Sequence, residues 1–329
     1  MANIAREAGV SLATVDRALN GRGVVRDATR RLVLDVAMRV GYVPEAAAPI
    51  PAKLRFDAIL PGGTNSYLAL LSQELEAAAA SLDDDVAVTV HRVEGFDPDA
   101  LARKLEAIEQ SDGVAVVALD HPLVRAAIRA LRARGVPVAT LVSDMADIGS
   151  IGYVGIDNRA SGRLAAQLLG RLIGERAGRV ILFLGSRSYR GHEEREIAFR
   201  HLIEDEFPRL SILPVRDARD DNRRTLSETL RLLDEHDDIV GIYNIAGGNR
   251  GVAEGLLNRP DRRIVFVAHE LTDSSRKFLT SGVLDVAIDQ NPRLEAREVL
   301  KLLAANARGL PREPIEPIRI TPIFRENLP

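Results

Sequence analysis

The sequence predicts a small all-α N-terminal domain followed by a larger α/β core of two lobes, each lobe a parallel sheet flanked by helices. Three observations carry this. Residues 1–45 have helical apolar spacing and no strand-like run; residues 46–54, AAAPIPAKL, contain Pro49 and Pro51; from Arg55 onward, Val- and Ile-rich runs alternate with amphipathic stretches. Proline fixes its own φ and restricts the residue before it, so the middle segment reads as a linker.

The bulk figures agree. A chain of 329 residues exceeds what one hydrophobic core usually supports. With 46% hydrophobic and 28% charged residues the composition is globular. A net charge of −3 gives no overall pull toward nucleic acid or an anionic membrane, so any DNA contact must come from a local patch. The absence of cysteine excludes disulfides, thiolate nucleophiles and zinc–sulfur sites, and fits a reducing compartment. The N-terminal region carries Arg6, Glu7, Asp16, Arg17 and Arg22 where a secretory signal needs an apolar core of about 7–15 residues. No run approaches the ~20 apolar residues of a membrane span. The expectation is a cytoplasmic protein with no membrane partner.

The N-terminal domain reads as three helices. Gly9 follows a helix with Ile4, Ala5 and Ala8 on its apolar face, and glycine accepts the left-handed turn conformation there. Ser11 stands at the N-cap of a second helix, Leu12–Leu19, its hydroxyl placed to accept from the amide near Thr14. That helix turns Val15, Ala18 and Leu19 inward and leaves Leu12, Ala13, Asp16 and Arg17 outward. A third helix spans about Asp27–Val40, with Leu32, Val33, Val36, Ala37 and Val40 inward and Gly41 at its end. Between residues 17 and 31, Arg17, Arg22, Arg26, Arg30 and Arg31 face the single acid Asp27, a patch suited to a phosphate backbone. A plain three-helix interaction module is the alternative. The spacing A-x-x-A-G-V-S-x-x-T-V favours a helix-turn-helix that presents its second helix to the major groove.

In the core, FDAIL, VAVTV, GVAVVAL, VPVATLV and IGYVGI, then RVILFLG, IVGIYNI, RIVFVAH and VLDVAI, are short apolar runs. Most precede an amphipathic stretch such as SYLALLSQELEAAAASL, with Leu68, Leu71, Leu75 and Ala79 at helical spacing. Continuous apolar strands separated by helices make parallel β–α–β units covered on both faces. Ligands in such folds bind beyond the C-terminal strand ends.

AREAGVSLATVDRALNG, then TRRLVLDVAMRVGYVP, resembles the DNA-binding headpiece of the LacI/GalR family of transcriptional regulators, and the order of headpiece and two-lobed core matches over essentially the whole chain. The resemblance implies a homodimer that reads a pseudo-palindromic double-stranded operator as a repressor under small-molecule control. By position, Leu12, Ala13 and Arg17 would meet base edges, Arg17 suiting guanine, while Ser11, Thr14, Asn20 and Thr29 would hold phosphates. Asp16 stands where the family has serine and would need a cytosine amino group to accept from; Arg22 belongs to the phosphate-facing patch. Fewer residues precede the first helix than is usual in the family. PEAAAPIPAKL lacks the leucine of the family's hinge helix, so minor-groove kinking is expected to be weak or absent.

The core resembles the type I periplasmic sugar-binding fold. Its lobes are then residues 55–156 with 291–316, and 157–290 with 317–329, joined by crossovers near Gly155–Asn158, Ile288–Pro292 and Ile315–Thr321. Asn65 can hydrogen-bond hydroxyls or cap the next helix, and Tyr67 offers a ring face. Asp157 ends a strand at a crossover, with Asn158 placed to cap the helix after it. Arg195 falls where sugar-binding relatives carry an arginine; otherwise it would pair with Glu194 or Glu196 on the surface. Asn244 and Asn249 flank two glycines, His269 and Glu270 end a strand, and Gln290 matches a common sugar contact. With 4% aromatic residues and no tryptophan, stacking rests on Tyr67, His269 or Tyr189, which favours a monosaccharide or polyol over an oligosaccharide or purine.

Catalysis is not expected. HEERE lacks the second histidine of H-E-x-x-H, and neither G-x-S-x-G nor G-x-x-x-x-G-K-[ST] occurs. No metal or cofactor is expected either. The rival reading is a solute-binding protein of the same fold with weak or uncoupled DNA binding.

Overall fold

The computed structural model describes residues 1–20, 25–40, 53–82, 86–311 and 314–329, leaving aside the side chains of Asn20, Asp27 and Met38. It forms two compact units, Met1–Ala52 and Lys53–Pro329. Arg22, Gly41 and linker residues 46–52 lie outside the described residues. Among the described residues no helix is long and apolar enough to cross a membrane.

The first unit holds α1 (Ala2–Glu7), α2 (Leu12–Asn20) and α3 (Asp27–Arg39). Gly9 takes φ +65°, the left-handed turn expected of it. The Thr14 amide donates to Ser11 Oγ at 3.2 Å, which caps α2. Ile4, Ala5, Ala8, Val15, Ala18, Leu19, Val33, Val36 and Ala37 form one core. Two residues expected inside α3's stripe are outside it: Leu32 is 44% and Val40 39% exposed. Val33, Val36 and Ala37 already complete the i, i+3, i+4 face; Leu32 sits one residue off it, and Val40 follows the last helical turn.

In the second unit, the N-lobe sheet has the order β2-β1-β3-β4-β5, built from β1 (Leu54–Pro61), β2 (Val86–Val93), β3 (Gly113–Val116), β4 (Val138–Leu141) and β5 (Tyr153–Val154), all parallel. Leu54 thus begins a strand instead of ending the linker. Helices α4 (Ser66–Ser81), α5 (Pro98–Glu106) and α6 (Pro122–Ala133) connect these strands.

After β5 the chain crosses to α7 (Asn158–Ile173), β6 (Gly178–Leu184), α8 (Arg190–Glu206), β7 (Leu210–Ile212), β8 (Arg216–Asp217), α9 (Asn222–Glu235), β9 (Ile239–Asn244), α10 (Asn249–Leu257), β10 (Val265–His269), α11 (Asp273–Ser281) and β11 (Val286–Asp289). It then returns through α12 (Pro292–Ala307) to the N-lobe, where Val299, Leu300 and Leu303 join the core of Phe56, Leu71 and Leu75. Fully burying each such side chain contributes about 1.5–3 kcal/mol. A last crossing delivers β12 (Thr321–Ile323) to the C-lobe sheet, whose order is β12-β11-β10-β9-β6-β7 with β8 beside β6. Here the expectation of two wholly parallel sheets needs correction: β12 runs antiparallel to β11. A strand arriving from the opposite lobe enters from the end at which β11 leaves.

Candidate functional site

The C-terminal strand ends of both sheets face a cleft of about 1260 Å³. Asn65, Tyr67, Arg195, Asn249, His269, Glu270 and Gln290 line it. Asp157 and Asn244 do not.

The centre is Arg195, on α8 and only 3% exposed. Its Nε donates to Asn158 Oδ1 at 2.7 Å, Nη1 to the Ile245 carbonyl at 3.1 Å, and Nη2 to Gln290 Oε1 at 3.0 Å. These bonds occupy three of five guanidinium N–H groups and leave two. The surface alternative fails because its neighbours are engaged elsewhere: Glu194 pairs with Arg190 and Glu196 with Arg187 and Arg200. Within HEERE both Arg195 and Glu196 are buried, Arg195 toward the cleft and Glu196 bridged by Arg187 and Arg200.

Asp157 and Asn158 exchange the roles the sequence suggested. Asp157 caps α7, its Oδ1 accepting from the Ala160 amide at 2.9 Å, outside the cleft. Asn158 is buried, accepts from Arg195, and donates through Nδ2 to the Tyr153 hydroxyl at 3.2 Å. The first crossover therefore orients the arginine.

Gln290, at the second crossover, also donates through Nε2 to Glu270 Oε1. Adjacent strand residues ordinarily face opposite sides. Glu270 takes φ +75°, so the chain turns immediately after His269 and both side chains line the cleft. Glu270 Oε2 and His269 Nδ1 are buried with no partner. His269 Nε2 lies 2.8 Å from the Tyr243 hydroxyl. Burial, then the Arg195 charge, pushes His269 well below the usual histidine range, so the ring is neutral. Burial and the neighbouring Asp289 push the Glu270 carboxyl well up.

Asn65 takes the capping role that the sequence allowed it. Its Oδ1 caps α4 by accepting from the Tyr67 amide at 3.0 Å, and its Nδ2 donates to Asp220 of the C-lobe at 2.8 Å. The Tyr67 hydroxyl donates to Glu295 on α12. Glu295 is fully buried, and burial raises its carboxyl to about 8. Asn244 Nδ2 donates to Asn249 Oδ1 at 2.6 Å, and Asn249 Nδ2 to the His269 carbonyl at 2.8 Å, so this pair braces two strand ends. Tyr189 packs edge-on against Phe96 of the N-lobe, with centroids 5.6 Å apart.

Asn158, Asp220, Glu295 and His192 are the residues sequence reasoning did not assign to the site. His192 lines the cleft, and burial followed by the Arg195 charge lowers it to about 3. Among the described residues no group of His, Cys, Asp or Glu could hold a metal ion.

In the first unit, Leu12 (56% exposed), Ala13 and Arg17 share the outward side of α2, with Ser11 exposed at its start. Arg17 Nε donates to the Ala13 carbonyl at 3.0 Å. Asp16, Thr14 and Thr29 are half-buried, and Arg26 and Arg31 are exposed. The side chain of Asn20 and all of Arg22 lie outside the described residues.

Residues 56–311 match the family described as periplasmic binding protein domain, and residues 1–45 match bacterial regulatory proteins, lacI family. The HTH-type transcriptional regulator pepR1 of Lactobacillus delbrueckii subsp. lactis is 33% identical over 172 residues, 51% of this chain and 50% of its own length. The chain thus spans about half the length of that curated relative. Among solved structures, a putative LacI transcriptional regulator from Bacteroides fragilis aligns with a TM-score of 0.73 at 20% identity, covering 84% of this chain and 98% of that one. A transporter solute-binding protein from Burkholderia graminis, in complex with D-arabinose, aligns with a TM-score of 0.78 at 18% identity, covering 85% and 98%. With a two-lobed α/β cleft over residues 56–311 the chain belongs to the periplasmic binding protein domain family, and its capped three-helix N-terminus matches the lacI family of bacterial regulatory proteins over residues 1–45.

Proposed function

We propose that this protein is a transcriptional repressor whose operator affinity is set by a monosaccharide or polyol bound between the lobes. The observation that carries the reading is the buried row Arg195–Gln290–Glu270 at the second crossover. It leaves two guanidinium N–H donors and the unpartnered Glu270 Oε2 on residues that line the cleft. A hydroxyl both accepts and donates, so vicinal hydroxyls satisfy donor and acceptor at once. A ligand held by both lobes binds their closed arrangement better than an open one, and this differential affinity is what couples it to a second equilibrium.

On the DNA side, the exposed Leu12, Ala13 and Arg17 read bases while Ser11, Thr14, Asn20, Arg22 and Thr29 hold phosphates; Asp16 accepts from a cytosine amino group. A cytoplasmic homodimer on a pseudo-palindromic operator completes the reading. The D-arabinose bound by the Burkholderia graminis protein supports a small-sugar ligand for this fold.

The test is a thermal-shift screen of the full chain against monosaccharides, polyols, sugar phosphates and purines. A ligand at ~100 times its dissociation constant adds about 2.7 kcal/mol, roughly 5 °C or more. The shift should vanish in Arg195→Met. Operator affinity is then measured by anisotropy with and without that ligand. A purine hit with no sugar response refutes the ligand class; a sugar hit that leaves DNA affinity unchanged favours the sugar-binding, uncoupled alternative.

A further inference from the structure

The two lobes touch at few places away from the crossovers. The Asp120 amide donates to the Ser188 carbonyl at 2.7 Å, and the Gly191 amide to Ser143 Oγ at 3.3 Å. Phe96 packs edge-on against Tyr189, and a polar contact draws on a side chain from each lobe: Asn65 Nδ2 donates to Asp220 Oδ2 at 2.8 Å, and the Thr64 hydroxyl to the Asp220 carbonyl at 3.3 Å.

The surroundings of Asp220 are shaped around this contact. Arg219 and Asp220 take φ +49° and +57°, two successive non-glycine residues in the left-handed region, which carry the carboxylate out of the loop between β8 and α9. Oδ1 is fixed by the Gly247 amide at 3.0 Å, leaving Oδ2 for Asn65. A Cβ at Gly185 would come within 2.7 Å of Asp220 Oδ1, and one at Gly247 within 2.8 Å of Asp220 Cβ and 3.1 Å of Asn65 Nδ2. Two glycines therefore clear the space in which the pair meets.

We propose that Asn65 and Asp220 form a latch that sets how far the lobes close, with Asp220 acting as a positioning residue rather than a ligand contact. Asn65 joins the latch to α4, whose cap it also forms. The regulatory consequence rests on the proposed effector reading of the cleft, since a tighter latch favours whichever operator-binding state has closed lobes. The latch itself is a property of the chain and is tested without ligand or DNA.

Complementary exchange separates the bond from general stability. In Asn65→Asp two carboxylates face each other. In Asp220→Asn the amide oxygen is needed by Gly247, so two NH₂ groups face each other. In the double variant, the new asparagine accepts from Gly247 and donates to the new aspartate, which still caps α4. The chain lacks cysteine, so Asp99→Cys on α5 and Ser227→Cys on α9, both exposed, provide unique spin-label sites. Pulsed electron-resonance distances are measured on full-length chain diluted into unlabelled chain, so that only intrachain pairs count. Each single variant should lengthen and broaden the distance distribution, and the double variant should restore it. Unchanged distributions in both single variants overturn the latch, as does a double variant no closer to wild type than the singles. A failed sugar screen with these distances behaving as described would instead remove the effector reading and leave the latch standing.

Discussion

Glu295→Gln tests whether the buried acid beneath Tyr67 folds in its protonated form. Glu295 is fully buried on the first turn of α12, with Oε2 accepting from Tyr67 and Oε1 unpartnered. Burial lifts its carboxyl from 4.5 to about 8, the Tyr67 hydrogen bond and the Arg195 charge only partly opposing this. The native state therefore binds more protons than the unfolded chain between those two values. Stability is fully present below pH 4.5 and is lost as pH rises through 8. The slope is about 1.4 kcal/mol per pH unit, hence about 3 kcal/mol between pH 5.5 and 7.5. Glutamine has the shape of the protonated acid and does not titrate. Urea unfolding of both proteins from pH 5 to 9 measures the difference, in which contributions from Glu270 and Asp289 largely cancel. The variant should gain on wild type steadily up to about pH 8 and level off above it. Parallel profiles would refute the claim that Glu295 stays protonated in the fold.

Gly162→Ala should destabilise the core by about 1–3 kcal/mol, since its Cβ would lie 2.3 Å from the Arg195 carbonyl oxygen where α7 meets α8; chemical denaturation reads this directly. Ser11→Ala removes the acceptor that caps α2 and should cost the headpiece about 1 kcal/mol, seen by thermal circular dichroism. Arg17→Ala should relax operator preference at one base position, whereas Arg22→Ala should weaken all sequences alike and reduce the salt slope by about 1. Binding selections at several salt concentrations distinguish the two, and uniform loss in both variants would mean that α2 docks differently.

Much of the fold was legible because apolar periodicity records burial. The long runs around Ile59, Leu182 and Phe266 became strands with those residues fully buried. The brief β7, β8 and β12 were not found, because a strand of two or three residues leaves no period to read. In the site, Arg195 and Gln290 were found through family resemblance; nothing in EEREIAFR itself says which arginine turns inward. Glu295 was missed because an acid in a helix's first turn ordinarily faces solvent beside the dipole, and only the packing of α12 against α4 buries it. Asp220 lies in RDARDDN, where local pattern cannot tell a turn-forming aspartate from one that reaches another lobe. Asp157 and Asn158 were reversed because both are good caps and one residue of helix phase decides between them.

The placement of α12 has a bearing on how the protein is made. Val299, Leu300 and Leu303 complete the core around Phe56, Leu71 and Leu75, residues more than 200 positions earlier in the chain. During synthesis at about 5–20 residues per second, the N-lobe sheet must wait roughly 10–50 s for its covering helix. Over that interval its unfinished apolar face is open to mispairing, while the C-lobe strands emerge behind it. The lobe that begins first is finished nearly last, and chaperone demand should fall on nascent chains stalled before residue 292.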